Sequence, residues 1–166
     1  MTHATPDTAD ALRSVMRQIA SSVAIITSNG EEGPVGITAT SVTSVSMLPP
    51  SILVCINQAT RLHQAVKHSD QFRVNYLAKG QQDIAKAFGG PIEGDRFKCG
   101  TWDLTASNGP RLFGCLGDMT CAVSGINDFG THSVFFGTVS SVNIQYHDPL
   151  LYCGGAYATA QQFKTA

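Results

Sequence analysis

"GITATSVTSVSMLPPSILVCIN", residues 36–57, divides into two unlike halves. Between Thr38 and Ser46, six of nine positions carry a hydroxyl: Thr38, Thr40, Ser41, Thr43, Ser44 and Ser46. After Pro49-Pro50 comes "SILVCIN", a short β-branched run of the kind that makes a buried strand. Threonine suits a strand but serine does not, and a core strand would spend those positions on Val or Ile. Hydroxyls and free backbone amides can bind the edge of an uncharged polar heterocycle, or a phosphate, without strong positive charge. The plainer reading, which composition favours, is an edge strand and loop solvated by short polar residues.

Working outward, "VAIIT" (23–27) reads as a strand closed by the turn-forming "NGEEG" (29–33), and the next strand begins near Val35. Leu12, Val15, Met16 and Ile19 recur at helical spacing and predict an amphipathic helix over 9–20. Leu62, Ala65 and Val66 predict a short helix ending near His68. "QFRVNYL" (71–77) alternates, with Phe72, Val74 and Tyr76 on one face. Residues 81–88 read as a helix stopped by Gly89-Gly90-Pro91, and residues 91–112 are irregular. "CLGDMTCAVSGI" (115–126) and "HSVFFGTVSSVNI" (132–144) are long strand candidates separated by the turn-rich "NDFGT", and "PLLYC" (149–153) is a last strand. Many short strands and few helices predict a mainly β fold with helical additions, an antiparallel barrel or sandwich. Residues 1–166 read as a single domain without repeats or linkers.

The bulk numbers narrow the function classes. A net charge of −1 over 166 residues gives no electrostatic case for nucleic acid or an anionic membrane, so any anionic ligand must be held locally. The apolar run 52–56 is far short of the roughly 20 residues a membrane helix needs. "MTHATPDTAD" lacks the basic-then-apolar order of a signal peptide, so the expected location is cytoplasmic. Five cysteines with no C-x-x-C pair argue against a disulfide framework and a zinc site, and no metal is expected.

Two further stretches carry chemistry. In "CINQATRLHQ" a strand ends at Asn57 and Thr60-Arg61 opens a helix, whose unpaired amides and Arg61 fork could hold a phosphate; an N-cap Thr with a solvent-facing Arg explains it equally well. His132 in "GTHSVFF" opens a strand after a glycine turn, and a lone histidine there is more often structural. No Ser/His/Asp or Cys/His set and no carboxylate pair is evident. That absence fits chemistry supplied by a cofactor, for which the protein only positions the partners.

Taken in order, "GITATSVTSVSMLPPSILVCIN", "FRVNYL", "GTHSVFFGTV" and "PLLYCGGAY" resemble the signatures of the short-chain flavin reductases, the small components of two-component flavin monooxygenases such as the 4-hydroxyphenylacetate 3-monooxygenase coupling protein. The match runs from about residue 10 to 158. The resemblance implies a split β-barrel that binds FMN or FAD, works as a homodimer, and uses NADH or NADPH to reduce flavin for a partner monooxygenase. It further implies that Thr38, Ala39, Thr40, Ser41, Val42, Ser44 and Val45 wrap the flavin ring and ribityl chain. Ala59, Thr60 and Arg61 match the loop at the flavin phosphate, His132 the histidine beside the nicotinamide, and Tyr157 an aromatic bordering the same pocket. The family's Gly-Asp-His reads Gly130-Thr131-His132 here, and Ala156 and Ala158 stand where the family often has a basic residue and a histidine. The expected activity is hydride transfer from NAD(P)H to flavin. A flavin-holding sensor or electron carrier on the same barrel is the alternative. A pyridoxamine-phosphate-type oxidase would need more basic residues than the pocket segments show.

Overall fold

The computed structural model describes residues 6–91 and 94–163; residues 1–5, the front of the stretch read for a leader, lie outside them. A helix, α1 (Pro6–Gln18), precedes strands β1 (Ser21–Ser22), β2 (Ala24–Gly30), β3 (Gly33–Ala39), β4 (Val42–Met47) and β5 (Pro50–Asn57). Then come α2 (Arg61–Ser69), β6 (Gln71–Tyr76) and α3 (Gln82–Gly89), followed by a 3-10 turn at Arg96–Lys98 and the short pair β7 (Trp102–Asp103) and β8 (Arg111–Leu112). The chain finishes with β9 (Gly117–Phe129), β10 (His132–Ile144), β11 (Leu150–Cys153) and β12 (Ala156–Thr159).

Seven of these strands form one antiparallel sheet in the order β3-β2-β6-β9-β10-β5-β4. Its two edge strands, β3 and β4, follow each other in the chain and are joined only by Thr40 and Ser41. Three Cα steps hold those edges within about 11 Å of each other at the link. The sheet must therefore curl until one end of each edge strand comes close to the other, in the middle of the hydroxyl-rich stretch, although β3 and β4 do not pair. Ala24, Ile26, Val54, Ile56, Phe72, Val74 and Phe135 fill the enclosed face together with Leu62 and Val66 of α2. A second cluster, Val23, Ile25, Leu77, Ile84, Phe88, Leu112 and Leu150, packs β2 against α3 and the small sheet β1-β11-β12. Strand β2 is thus buried on both faces, as its unbroken apolar run requires.

The expected mainly β architecture is present, with differences that have physical causes. The strand break falls at Leu48-Pro49, a cis bond, and Pro50 itself opens β5. The alternation of "QFRVNYL" is present, but the polar residues Arg73 and Asn75 are buried too. Arg73 pairs with buried Asp118 and donates from Nε to Gly109 O at 3.0 Å; Arg111 Nε reaches the same carboxylate at 2.9 Å. Asn75 donates to Ile25 O (3.2 Å) and Pro110 O (3.3 Å) and accepts from Leu112 N (2.9 Å). These bonds lay the patternless 101–112 segment over the polar face of β6. The small strand β12, absent from the sequence reading, pairs with β11.

Strands β9 and β10 form a long hairpin whose turn is only Gly130-Thr131 rather than the whole of "NDFGT". Gly130 has φ 57°, the positive value that a two-residue hairpin of the II′ kind needs at its first central position. Farther along β10, a Cβ on Gly137 would stand 2.6 Å from Phe72 Cζ and 2.9 Å from Cys121 Cβ. Only a bare Cα lets β10 cross over the Phe72 ring.

Candidate flavin-binding site

Strand β5 ends at Asn57, and the turn into α2 is closed by short bonds. Asn57 O accepts from Thr60 Oγ1 (2.7 Å), Asn57 Oδ1 accepts from Ala59 N (2.9 Å), and Thr60 Oγ1 accepts from His63 N (3.2 Å) as the N-cap. The amides of Arg61 and Leu62 are left without partners among the described residues, at the positive end of the helix dipole. They border a cleft of about 640 Å³ whose other walls include Thr38, Ala59, Thr60 and Arg96. Arg61 also lines this cleft, with its guanidinium 2.9 Å from Glu32 and both side chains exposed. The site thus holds an anion-compatible helix end with an exposed cation beside it.

A second cleft of about 520 Å³ shares Thr38, Gly89 and Gly90 with the first, and adds Ala39, Thr40 and Tyr157. Tyr157 packs edge-on to Tyr152, ring centroids 5.5 Å apart, and burial holds its phenol above the usual tyrosine range. Of the hydroxyls in the opening stretch, Thr38 donates to Ala85 O at 2.6 Å and Ser41 to Cys55 O at 3.2 Å, while Ser46 closes on the Leu48 backbone. Those of Thr40, Thr43 and Ser44 are exposed and have no partner among the described residues. Of the three, Thr40 lies on the strand link and lines the second cleft, and a free hydroxyl placed there is what a polar heterocycle edge can use.

The structure brings Thr38, Ala59, Thr60 and Arg61 to one cleft and Thr38, Ala39, Thr40 and Tyr157 to the adjoining one. Ser41 on the link and Val42, Ser44 and Val45 on β4 lie outside both clefts. His132 lines neither. It pairs across the sheet with Asn57, immediately before the Ala59–Arg61 turn, and Gln58 N donates to Thr131 O at 3.0 Å. Its ring is exposed, with Thr131 Oγ1 2.9 Å from Nδ1.

Sequence reasoning missed Arg96, a second cation at the first cleft. Its guanidinium donates to Phe88 O (3.1 Å) and Gly90 O (2.6 Å), capping α3, while its Nε is buried with no partner. The signal was Asp95-Arg96-Phe97 following a glycine, but nothing local says that this segment returns to α3. All five cysteines are free thiols. Among the described residues no helix is long and apolar enough to cross a membrane, and no cluster could hold a metal ion.

Residues 16–161 match the model of the flavin reductase-like domain family. An FMN reductase (NADH), RutF 1, of Methylorubrum extorquens is 38% identical over 159 residues, covering 94% of this chain and 79% of that protein. Component B of a nitrilotriacetate monooxygenase from Mycobacterium thermoresistibile superposes with a TM-score of 0.88 at 30% identity, covering 98% of this chain and 93% of that one. The NADH:FAD oxidoreductase SgcE6 of Streptomyces globisporus does so with a TM-score of 0.86 at 28% identity, covering 98% and 99%. SgcE6 has also been solved in complex with NAD and FAD fragments.

Proposed function

The chain belongs to the flavin reductase-like domain family, and from that premise we propose how its own residues carry out NAD(P)H-dependent flavin reduction. The single observation that carries the reading is the pair of adjoining clefts joined at Thr38, one closed by a bare helix end and the other faced by the free hydroxyl of Thr40. The donor set fits a flavin: neutral hydrogen-bonding groups for its ring, and amides with one loosely held arginine for its phosphate. Bound flavin supplies the hydride-accepting ring, which leaves the site reduced.

The α2 amides and Arg61 hold the phosphate. The Thr40 hydroxyl and the backbone of Thr38 and Ala39, which line the second cleft, hold the ring by hydrogen bonds that carry no fixed charge. A weak, uncharged grip suits a product that must depart. His132 orients the nicotinamide of the donor, and Tyr157 closes the far wall. No side chain is needed as a base, because hydride transfer asks for close approach and alignment.

The reduced flavin goes to a partner monooxygenase component, as the likeness to component B of a monooxygenase supports. The chain works as one domain in a homodimer: Leu12, Val15 and Met16 of α1 and Ile19 just past its end are 61%, 62%, 56% and 49% exposed, an apolar stripe that a second copy would cover. Five free thiols are in keeping with a cytoplasmic location. The deciding experiment is oxidation of NADH and of NADPH with FMN, FAD or riboflavin added in excess. Sustained multiple turnovers are expected. Binding of flavin with no turnover on either nucleotide would replace the enzyme with a flavin carrier.

A further inference from the structure

Ser133, wholly buried, stands at the centre of a set of side chains that the reaction as described does not use. Its Oγ donates to Asp128 Oδ1 at 2.5 Å and lies 2.8 Å from His63 Nε2 and 3.4 Å from Gln58 Nε2. The three residue types are those of a hydrolytic triad, but the order is wrong for one. Serine sits between the other two with its hydroxyl out of solvent, so it is no nucleophile. A serine has one proton, and the Asp128 carboxylate can only accept it. His63 must therefore donate from Nε2, and Gln58 donates as well, which saturates the hydroxyl. Burial together with Lys67 favours neutral His63, against the pull of Asp128, and the ring packs edge-on to Phe135 with centroids 5.4 Å apart.

The three partners come from three places. Asp128 faces Ser133 across the β9–β10 hairpin, Gln58 lies in the turn out of β5, and His63 lies on α2, in the same first turn whose amides face the first cleft. Gln58 Nε2 also donates to His132 O at 3.3 Å. Since among the described residues the His132 ring has only its neighbour Thr131 to hold it, its position is set by the backbone of residues 131–133. We propose that Ser133 is a positioning residue: through Asp128, Gln58 and His63 it locks the strand start bearing His132 to the helix whose end takes the flavin phosphate. The donor-side imidazole and the phosphate seat then share one rigid mount. This inference rests on the reading of His132 as the residue beside the nicotinamide.

The test is single-turnover reduction of bound flavin by NADH, followed by stopped-flow, in His132→Ala, Ser133→Ala, Ser133→Thr and the double variant His132→Ala with Ser133→Ala. Ser133→Ala is expected to slow reduction about tenfold, the rate equivalent of one hydrogen bond's net worth. Flavin affinity should stay within about twofold, since one hydrogen bond's worth is spent on alignment rather than binding. Ser133→Thr, which keeps the hydroxyl, should restore most of the rate. In the His132→Ala background, removing the hydroxyl should cost almost nothing more, because a residue that acts through another shows no independent effect. A slow His132→Ala variant beside a Ser133→Ala variant of wild-type rate would sink the positioning role alone. A full additional loss in the double variant would do the same. A wild-type rate for His132→Ala would instead remove the reading of His132 and this inference with it. Should Ser133→Ala fail to fold, Asp128→Ala, altered at an exposed hairpin position, gives the same readout.

Discussion

Arg61 has two partners to choose between. Its guanidinium pairs with Glu32 at 2.9 Å across an exposed surface, where an ion pair is worth ~0–1 kcal/mol. A doubly charged phosphate at the α2 end outbids that pair, since hydrogen bonds to charged groups are worth about 1.5–3 kcal/mol. Arg61→Ala should therefore weaken FMN binding by about that much while leaving riboflavin, which has no phosphate, almost unchanged. Equal losses for the two ligands in a fluorescence titration would place Arg61 outside the site. His63 gives a second residue-scale expectation, in pH. Its folded-state pKa lies below the ordinary 6.5, with burial the main cause, Lys67 adding to it and Asp128 opposing it. As pH falls, the unfolded chain takes up that proton first, so stability is full above 6.5 and declines as pH falls through that value towards the lower folded pKa. Melting temperatures from pH 7.5 down to 5.5 should fall less in His63→Gln, which keeps a donor for Ser133, than in the native chain. Parallel curves would show that this imidazole carries none of the acid sensitivity. Of these residues, spacing left Arg61 with two equal readings and His132 with a structural one, and only the family resemblance assigned either to a site. The Ser133 group was not legible, because His63 and Gln58 reach it from another part of the chain, and a buried serine inside "HSVFF" looks like any strand residue.

Among the elements, strands with one periodicity were legible to within a few residues. "HSVFFGTVSSVNI" is β10 from end to end. Less legible were elements whose reason for being lies elsewhere: β7 and β8 exist because Asn75 and the Arg73–Asp118–Arg111 group hold them down. Alternation in β6 was legible, but not what covers its polar side, since Arg73 and Asn75 are hidden under a loop that returns from residues 109–112. Where β10 crosses β6 and β9, the binding constraint is space. Gly137→Ala forces a methyl group into the Phe72 ring and against Cys121 Cβ, neither free to retreat. The expected loss is about 1–3 kcal/mol, the cost of overpacking a filled core. Denaturant unfolding measures it, and a midpoint unchanged from the native chain would mean that β10 can shift. Cys121, whose thiol burial pushes up to about 12, stays inert to alkylation in the folded chain and reports the same loosening if it begins to react.

For the molecule as a whole, the exposed stripe on α1 does not stand by itself: Phe129 at the hairpin end is 82% exposed, and Val142 and Ile144 are bare on the far end of β10. So much uncovered apolar surface on a chain of 166 residues asks for a second copy, and sedimentation at micromolar concentration should find a dimer. A monomer that still turns over NADH would show that the site is complete within one chain. Val15→Asp with Met16→Asp, on the exposed stripe, should shift the dimer towards monomer without lowering the melting temperature of the single chain. Fold class was legible because it depends on local period. The two clefts were only half legible: their hydroxyl wall is contiguous in sequence, whereas α3, Arg96 and Tyr157 are brought in by tertiary packing. The two-residue link between the sheet's edges has one more consequence, and it concerns time. Hairpins β2–β3, β4–β5 and β9–β10 can each zip from neighbouring residues, but the pairings of Ile26 with Val74 and Val54 with Phe135 must wait for distant segments to meet. Until both have formed, Thr40 and Ser41 join two loose ribbons rather than two edges of one sheet. Topologies of such long range take milliseconds to seconds. On dilution from denaturant, capture of flavin should therefore lag behind the return of strand structure, and the ligand would meet a chain already committed to its shape.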